Sequence, residues 1–131
     1  MQKFYQVRRF NFIFVIFFFL FFQFNNASAT TFIVNNSNDS GPGSLRKQIS
    51  LAVDYDTIRF DNSTNGVPIV LNSEIEISTV ISIYGNYTPN TILDGNNTNR
   101  VFKVAPSGNL ILFDLVITNC NSGFFNGGAI F

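Results

Sequence analysis

Six charged residues have the types and spacing that could do chemistry: Glu74, Glu76, Asp94, Arg100, Lys103 and Asp114. Glu74 and Glu76 stand two apart in SEIEIS, so in a strand both side chains fall on one face and can share a cation. Their alternation with Ile75 and Ile77 offers a plainer role, a solvated face opposite a buried one. Asp94 stands in a Leu-Asp-Gly-Asn corner, where Asp is ordinary turn chemistry. Asp114, between Phe113 and Leu115, reads as an outward residue in mid-strand. Arg100 and Lys103 are the bases that could stand beside such acids. No motif fixes any pair, so no catalytic, cofactor-binding or metal-ligating residue is assigned and no cofactor is expected.

Other side chains narrow the chemistry further. There is no histidine, which excludes His-based triads, imidazole acid–base catalysis and His metal ligands. Cys120 is the single cysteine, so no intrachain disulfide forms. A reactive thiol needs a neighbouring base or a helix N-terminus, and the local sequence offers neither. Cys120 is therefore read as a small, half-buried corner residue. Beyond residue 29, Asn-x-Ser/Thr triplets begin at Asn35, Asn38, Asn62, Asn86 and Asn96. A eukaryotic secretory pathway could glycosylate them, but an Asn-rich chain also produces such triplets by chance.

These residues need elements to position them, and the first 29 residues are not read as fold. Lys3, Arg8 and Arg9 make a basic start, Phe10 to Phe22 is apolar apart from Asn11, and Ala27-Ser28-Ala29 is a small-x-small site. That order predicts a signal peptide over 1–29, cut after Ala29. The rival is an uncleaved helix anchoring a small membrane protein. A span takes about 20 apolar residues, and even Phe10 to Phe24 reaches only about 15. The mature chain keeps five basic residues against eight acidic ones, a net charge of −3. Nothing in it forms a basic face, so no nucleic-acid partner is expected.

Over 30–61 the pattern predicts strand, loop, helix and strand. TTFIV places Phe32 and Val34 on one face; NNSNDSGPG is turn-forming throughout. Ser44 can cap a short helix whose Leu45, Ile49, Ala52 and Val53 form one apolar face. Such a helix is too short to persist in water and must lie on something. Thr57 to Phe60 follows as a strand with Ile58 and Phe60 inward. From Val67 onward every short segment reads β: Pro68 to Leu71, Glu74 to Ser78, Val80 to Tyr84, Thr91 to Leu93, Val101 to Val104 and Leu110 to Thr118. A sandwich or barrel and a solenoid both fit many short strands. The irregular, Asn-rich corners favour the solenoid, because Asn tolerates left-handed backbone and can stack along a corner.

The run FIVNNSNDSGPGSLRKQISLA followed by DTIRFD resembles the opening of exported right-handed parallel β-helix proteins of the pectin-lyase-like type. In those proteins a strand, an Asn-Asp-x-Gly-x-Gly-Ser-Leu-Arg loop and a short helix form the N-terminal cap; here the loop is Asn38 to Arg46. ISIYG, TILDGN, RVFKV and LVITNCNSG…GGAIF follow in the expected order, so the resemblance covers essentially all of 31–131. Gly127-Gly128-Ala129-Ile130 also resembles the repeat signature of polymorphic outer-membrane proteins, whose passengers are such β-helices. That family pairs the signature with Phe-x-x-Asn, and Phe124-Phe125-Asn126 is one residue short of it.

The resemblance implies an all-β fold, a right-handed parallel β-helix (solenoid) with a short N-terminal capping helix, preceded by a signal helix. Residues 30–61 would be the cap and 62–131 the first coils, apparently truncated after Phe131. About two coils are present, fewer than the roughly three that a solenoid usually needs, so the mature chain alone is expected to be marginal. Arg46 would either bond corner carbonyls or lie solvated on the helix. The function implied is an exported structural or interaction protein, secreted or on the cell surface or outer membrane, adhesin- or passenger-like. Its partners would be a host or neighbouring-cell surface protein or polysaccharide, and the missing downstream coils. The alternative is the N-terminal part of a polysaccharide-degrading β-helix enzyme.

Overall fold

The computed structural model describes residues 28–123 and 127–131. The expected signal peptide thus lies almost wholly outside the described residues, as does Phe124-Phe125-Asn126. The described strands are β1 (Thr31–Val34), β2 (Thr57–Phe60), β3 (Ile69–Val70), β4 (Ile75–Ile77) and β5 (Val80–Tyr84). They continue with β6 (Thr91–Asp94), β7 (Phe102–Val104), β8 (Asn109–Phe113) and β9 (Leu115–Thr118). One helix, α1 (Leu45–Leu51), stands between β1 and β2.

The fold is predominantly β, and its named strands pair only in parallel. They form sheets ordered β1-β2-β5-β8, β3-β6-β9 and β4-β7. Ile130 bridges to Phe102 in parallel and extends the third sheet. From β2 on, the chain visits the three sheets in rotation. Thr31 lies opposite Thr57, Thr57 opposite Ser82 and Ser82 opposite Ile111, steps of 26, 25 and 29 residues. In the second sheet Ile69, Leu93 and Ile117 are opposite one another, two steps of 24.

The side-chain alternation explains why the register holds. In β5 Ile81 and Ile83 are buried while Ser82 and Tyr84 face out. Ile83 lies opposite Ile58 on one side and Leu112 on the other, so one inward column runs across the sheet. A slip of one residue would turn that column outward. Ile69 and Leu93 supply a second inward column, and Ile75, Phe102, Ile77 and Val104 a third. Leu110, Leu112, Leu115 and Ile117, farthest from the helix, are only partly buried.

Helix α1 closes the other end of the core. Ser44 accepts a hydrogen bond from the Lys47 amide at 3.2 Å, and Leu45 and Ile49 are buried. The helix stops at Leu51 because Ala52 is already extended, with ψ 143°. Val53, expected on the apolar face, is therefore 63% exposed. Before the helix, Asn35 donates from its amide to the Gly43 carbonyl at 3.0 Å. Gly43 has φ +78°, and a Cβ there would strike the Asn35 side chain, so this loop requires glycine.

Three strand expectations are corrected. Leu110 to Thr118 is two strands, because Asp114 adopts φ 53° and turns the chain between β8 and β9. Asp114 is thus a corner residue and not a mid-strand one; Asp is among the few side chains that tolerate this conformation. Pro68 to Leu71 contracts to Ile69–Val70, and Glu74 to Ser78 to Ile75–Ile77.

Candidate functional site

The third sheet brings four of the six charged candidates together. Glu76 points out from β4 and lies opposite Lys103 in β7. Glu74 sits one residue ahead of β4, so it does not share a strand with Glu76; its Oε2 is 4.0 Å from Nη1 of Arg100. Arg100 also lies over the Phe131 ring, 4.8 Å from its centroid. The arrangement is acid beside base, twice. Opposite charges facing across a sheet contribute about 0.2–1 kcal/mol each. Among the described residues no group of three or more His, Cys, Asp and Glu is placed to hold a metal ion.

Asp94 and Asp114 do not join this group. Asp94 accepts from the Asn96 amide at 2.7 Å and from Asn119 Nδ2 at 2.7 Å, which ties two successive corners together. Asn86 does the same one corner earlier, donating to Asn65 Oδ1 at 2.5 Å and to the Phe60 carbonyl. The carboxamide of Asn86 is engaged in the fold, whereas Asn62 and Asn96 are exposed. Cys120 donates to the Thr118 carbonyl at 3.3 Å. Burial pushes its thiol up and the charge of Asp94 adds to this, outweighing the Gly95 and Val101 amides. The thiol is thus protonated at neutral pH and a poor nucleophile.

Arg46 bonds corner carbonyls. Nη2 donates to the Ser73 carbonyl at 2.7 Å and to Asp39 Oδ1 at 2.8 Å; Nη1 donates to the Glu74 carbonyl at 3.0 Å. Asp39 also accepts from the Asn72 amide at 3.3 Å. One ion pair thereby joins the Gly-rich loop, the helix and the β3–β4 corner. Arg46 also borders a pocket of about 230 Å³ between α1 and β4, with Ile49, Ala52, Ile75, Glu76 and Thr79. The guanidinium is already engaged, which leaves Glu76 as the one ionised group of that pocket free of a short hydrogen bond.

Asp39 gives this clasp a pH dependence. Burial raises its carboxyl, but hydrogen bonds from Arg46 and Asn72 and the Arg46 charge outweigh burial, so it lies below its ordinary 3.8. A depressed carboxylate contributes stability that is present above the unfolded value and lost as pH falls through the folded one. Asp39→Asn is expected to be less stable than the parent at neutral pH, the gap closing below about pH 4. Urea midpoints measured from pH 7 down to 3 check this; a constant gap would remove the clasp as its cause.

Two acids outside the six charged candidates, Asp54 and Asp56, organise the start of the fold. Asp56, 2% exposed, accepts from the Thr30 amide at 2.7 Å and the Val53 amide at 2.8 Å. Asp54 accepts from the Val80 amide at 2.9 Å. Their partners Thr30 and Val80 are each 26 residues away, so only the partners' positions in space could have shown the role.

Along the outer face of the four-stranded sheet, Ile33, Arg59, Tyr84 and Phe113 form one column. The Arg59 guanidinium lies 4.7 Å from the Tyr84 ring centroid, and Tyr84 stacks on Phe113 at 4.5 Å with 10° between planes. The adjacent outward column is Thr31, Thr57, Ser82 and Ile111. Both faces of Tyr84 are engaged within the column, so a ligand would meet its edge, the Arg59 guanidinium, hydroxyls and the half-exposed Phe113. This is a ladder that stabilises the sheet and presents a long, mixed surface. No protein-family model matches the chain, and searches among curated proteins and solved structures find no match.

Proposed function

We propose that the chain is the capped N-terminal part of a right-handed parallel β-helix, exported to the cell surface, outer membrane or medium. In this reading it is an adhesin- or passenger-like scaffold that binds a surface protein or polysaccharide through its outer faces, without catalysis in these residues. The observation that carries it is the rotation of the chain through three parallel sheets, each strand resting on one 24 to 29 residues earlier. Parallel crossovers within a sheet are right-handed in about 98% of cases, which supports the hand. Helix α1 then acts as the lid on the first coil, and Leu110, Leu112, Leu115 and Ile117 are placed to receive downstream coils. The basic start, apolar run and Ala27-Ser28-Ala29 support export.

One observation favours the enzymatic alternative: Glu74 with Arg100, and Glu76 with Lys103, do set acids beside bases on a sheet face. Neither pair is tight: Glu74 and Arg100 stand 4.0 Å apart, and among the described residues no ion pair joins Glu76 to Lys103, so no acid is fixed against a base. The scaffold reading therefore stands first.

The test uses the full chain with its own leader and an epitope tag after Phe131. The tag is expected in the medium, or open to added protease on intact cells; a chain kept inside the cell overturns export. Exported protein is then expected to co-sediment with cells or their isolated polysaccharide, and to do so less after Arg59→Glu. Unchanged sedimentation would remove the outer column from the binding face.

A further inference from the structure

We propose that Asp56 is a built acceptor for the α-ammonium that cleavage after Ala29 creates on Thr30, so that processing completes the cap. This rests on the export reading above. Hydrolysis of the Ala29–Thr30 peptide bond by a signal peptidase consumes one water. It leaves a carboxylate on Ala29 and an amine on Thr30, which takes up a proton at neutral pH.

The nitrogen so released is already in place. It donates to Asp56 Oδ1 at 2.7 Å, inside the range of charge-assisted hydrogen bonds. The Thr30 carbonyl accepts from the Thr57 amide at 2.9 Å, which fixes the residue at the head of β1. Asp56 is buried, its second oxygen taken by the Val53 amide. Among the described residues no Lys or Arg lies within ion-pair distance of it. A buried carboxylate held by neutral donors alone is costly, and a cation at this distance relieves that cost. Of the residues that would leave, only Ser28 and Ala29 are among the described residues. Both are exposed, and the bond from Thr30 Oγ1 to the Ser28 carbonyl is a long 3.5 Å.

Cleavage thus trades that weak contact for an ion pair that ties β1 to the exit of α1. The sign of the pH dependence follows. An amine whose folded value is raised by a partner contributes stability that is present below its unfolded value, ordinarily about 8, and lost as pH rises through the folded one.

The experiment takes the product that a secreting host exports from the full chain. Intact mass is expected to show a start at Thr30. The α-amine is then acylated at pH 8 and the rate is read by mass spectrometry. It is expected to be about tenfold slower in the folded product than in urea, and to recover in Asp56→Asn. If Asp56→Asn does not fold, the comparison of folded with urea-unfolded parent decides alone. A product starting at Thr30 whose amine reacts equally fast folded and unfolded overturns the ion pair and leaves export standing. A product that starts elsewhere, or is never cut, overturns the export reading and the site with it.

Discussion

Phe102→Ala is expected to destabilise the fold by about 3–5 kcal/mol, the largest effect of any single truncation in the core. Phe102 is the largest of the fully buried side chains. It lies opposite Ile75 and bridges to Ile130, so it has a neighbour on either side in the third sheet, and its side chain belongs to the buried core. Removing it loses the transfer energy of the ring and leaves a cavity that β-strands held on both sides cannot close. A domain of this size has about 5–15 kcal/mol in total, so the variant should be largely unfolded at modest urea. The control is Phe113→Ala, an aromatic of the outer column that is 43% exposed. Its loss should cost about 1 kcal/mol, the value of a stacked pair. Urea midpoints at neutral pH compare the two, and similar losses would refute this account of the core.

Arg46→Ala should be the next most damaging, at about 2 kcal/mol. Hydrogen bonds from a charged donor contribute about 1.5–3 kcal/mol each. The side chains of Arg46 and Asp39 are 26% and 21% exposed, so solvent screens part of this. Arg46→Lys is expected to recover little, because one ammonium cannot reach Asp39, Ser73 and Glu74 from a single planar fork. Limited proteolysis provides an independent readout. The 35–43 loop should become the first site of nicking in Arg46→Ala, since the helix holds that loop through this side chain. Full protection of the loop would mean that its own turns, and not the guanidinium, keep it in place.

The legible parts of this fold are those decided locally. Val80–Tyr84 alternates cleanly and forms a strand with those bounds, and Ser44 before Leu45 announces the cap of α1. The break at Asp114 is not legible, because no glycine or asparagine marks it and the apolar alternation on either side reads as one run. The helical face over-extends to Val53 for a similar reason: periodicity does not register that Ala52 has already left the helix. Asp56 fails differently, and Arg46 stays open in the sequence between corner carbonyls and solvent. Their distant partners Thr30, Ser73 and Glu74 lie 26 to 28 residues away and meet them only after the sheets form. The charged candidates were legible as types but not as pairs, since Glu74 meets Arg100 only through the β4–β7 register.

The unequal steps between paired strands have a consequence for how this chain can change. From β5 to β6 the link runs from Gly85 to Asn90, whereas from β8 to β9 it is Asp114 alone. Yet Leu93 still lies opposite Ile117 and Ile83 opposite Leu112. Length is gained and lost at the bends without disturbing the pairing between them. The walls thus act as a ruler, and the bends are where insertions can be displayed without moving anything else.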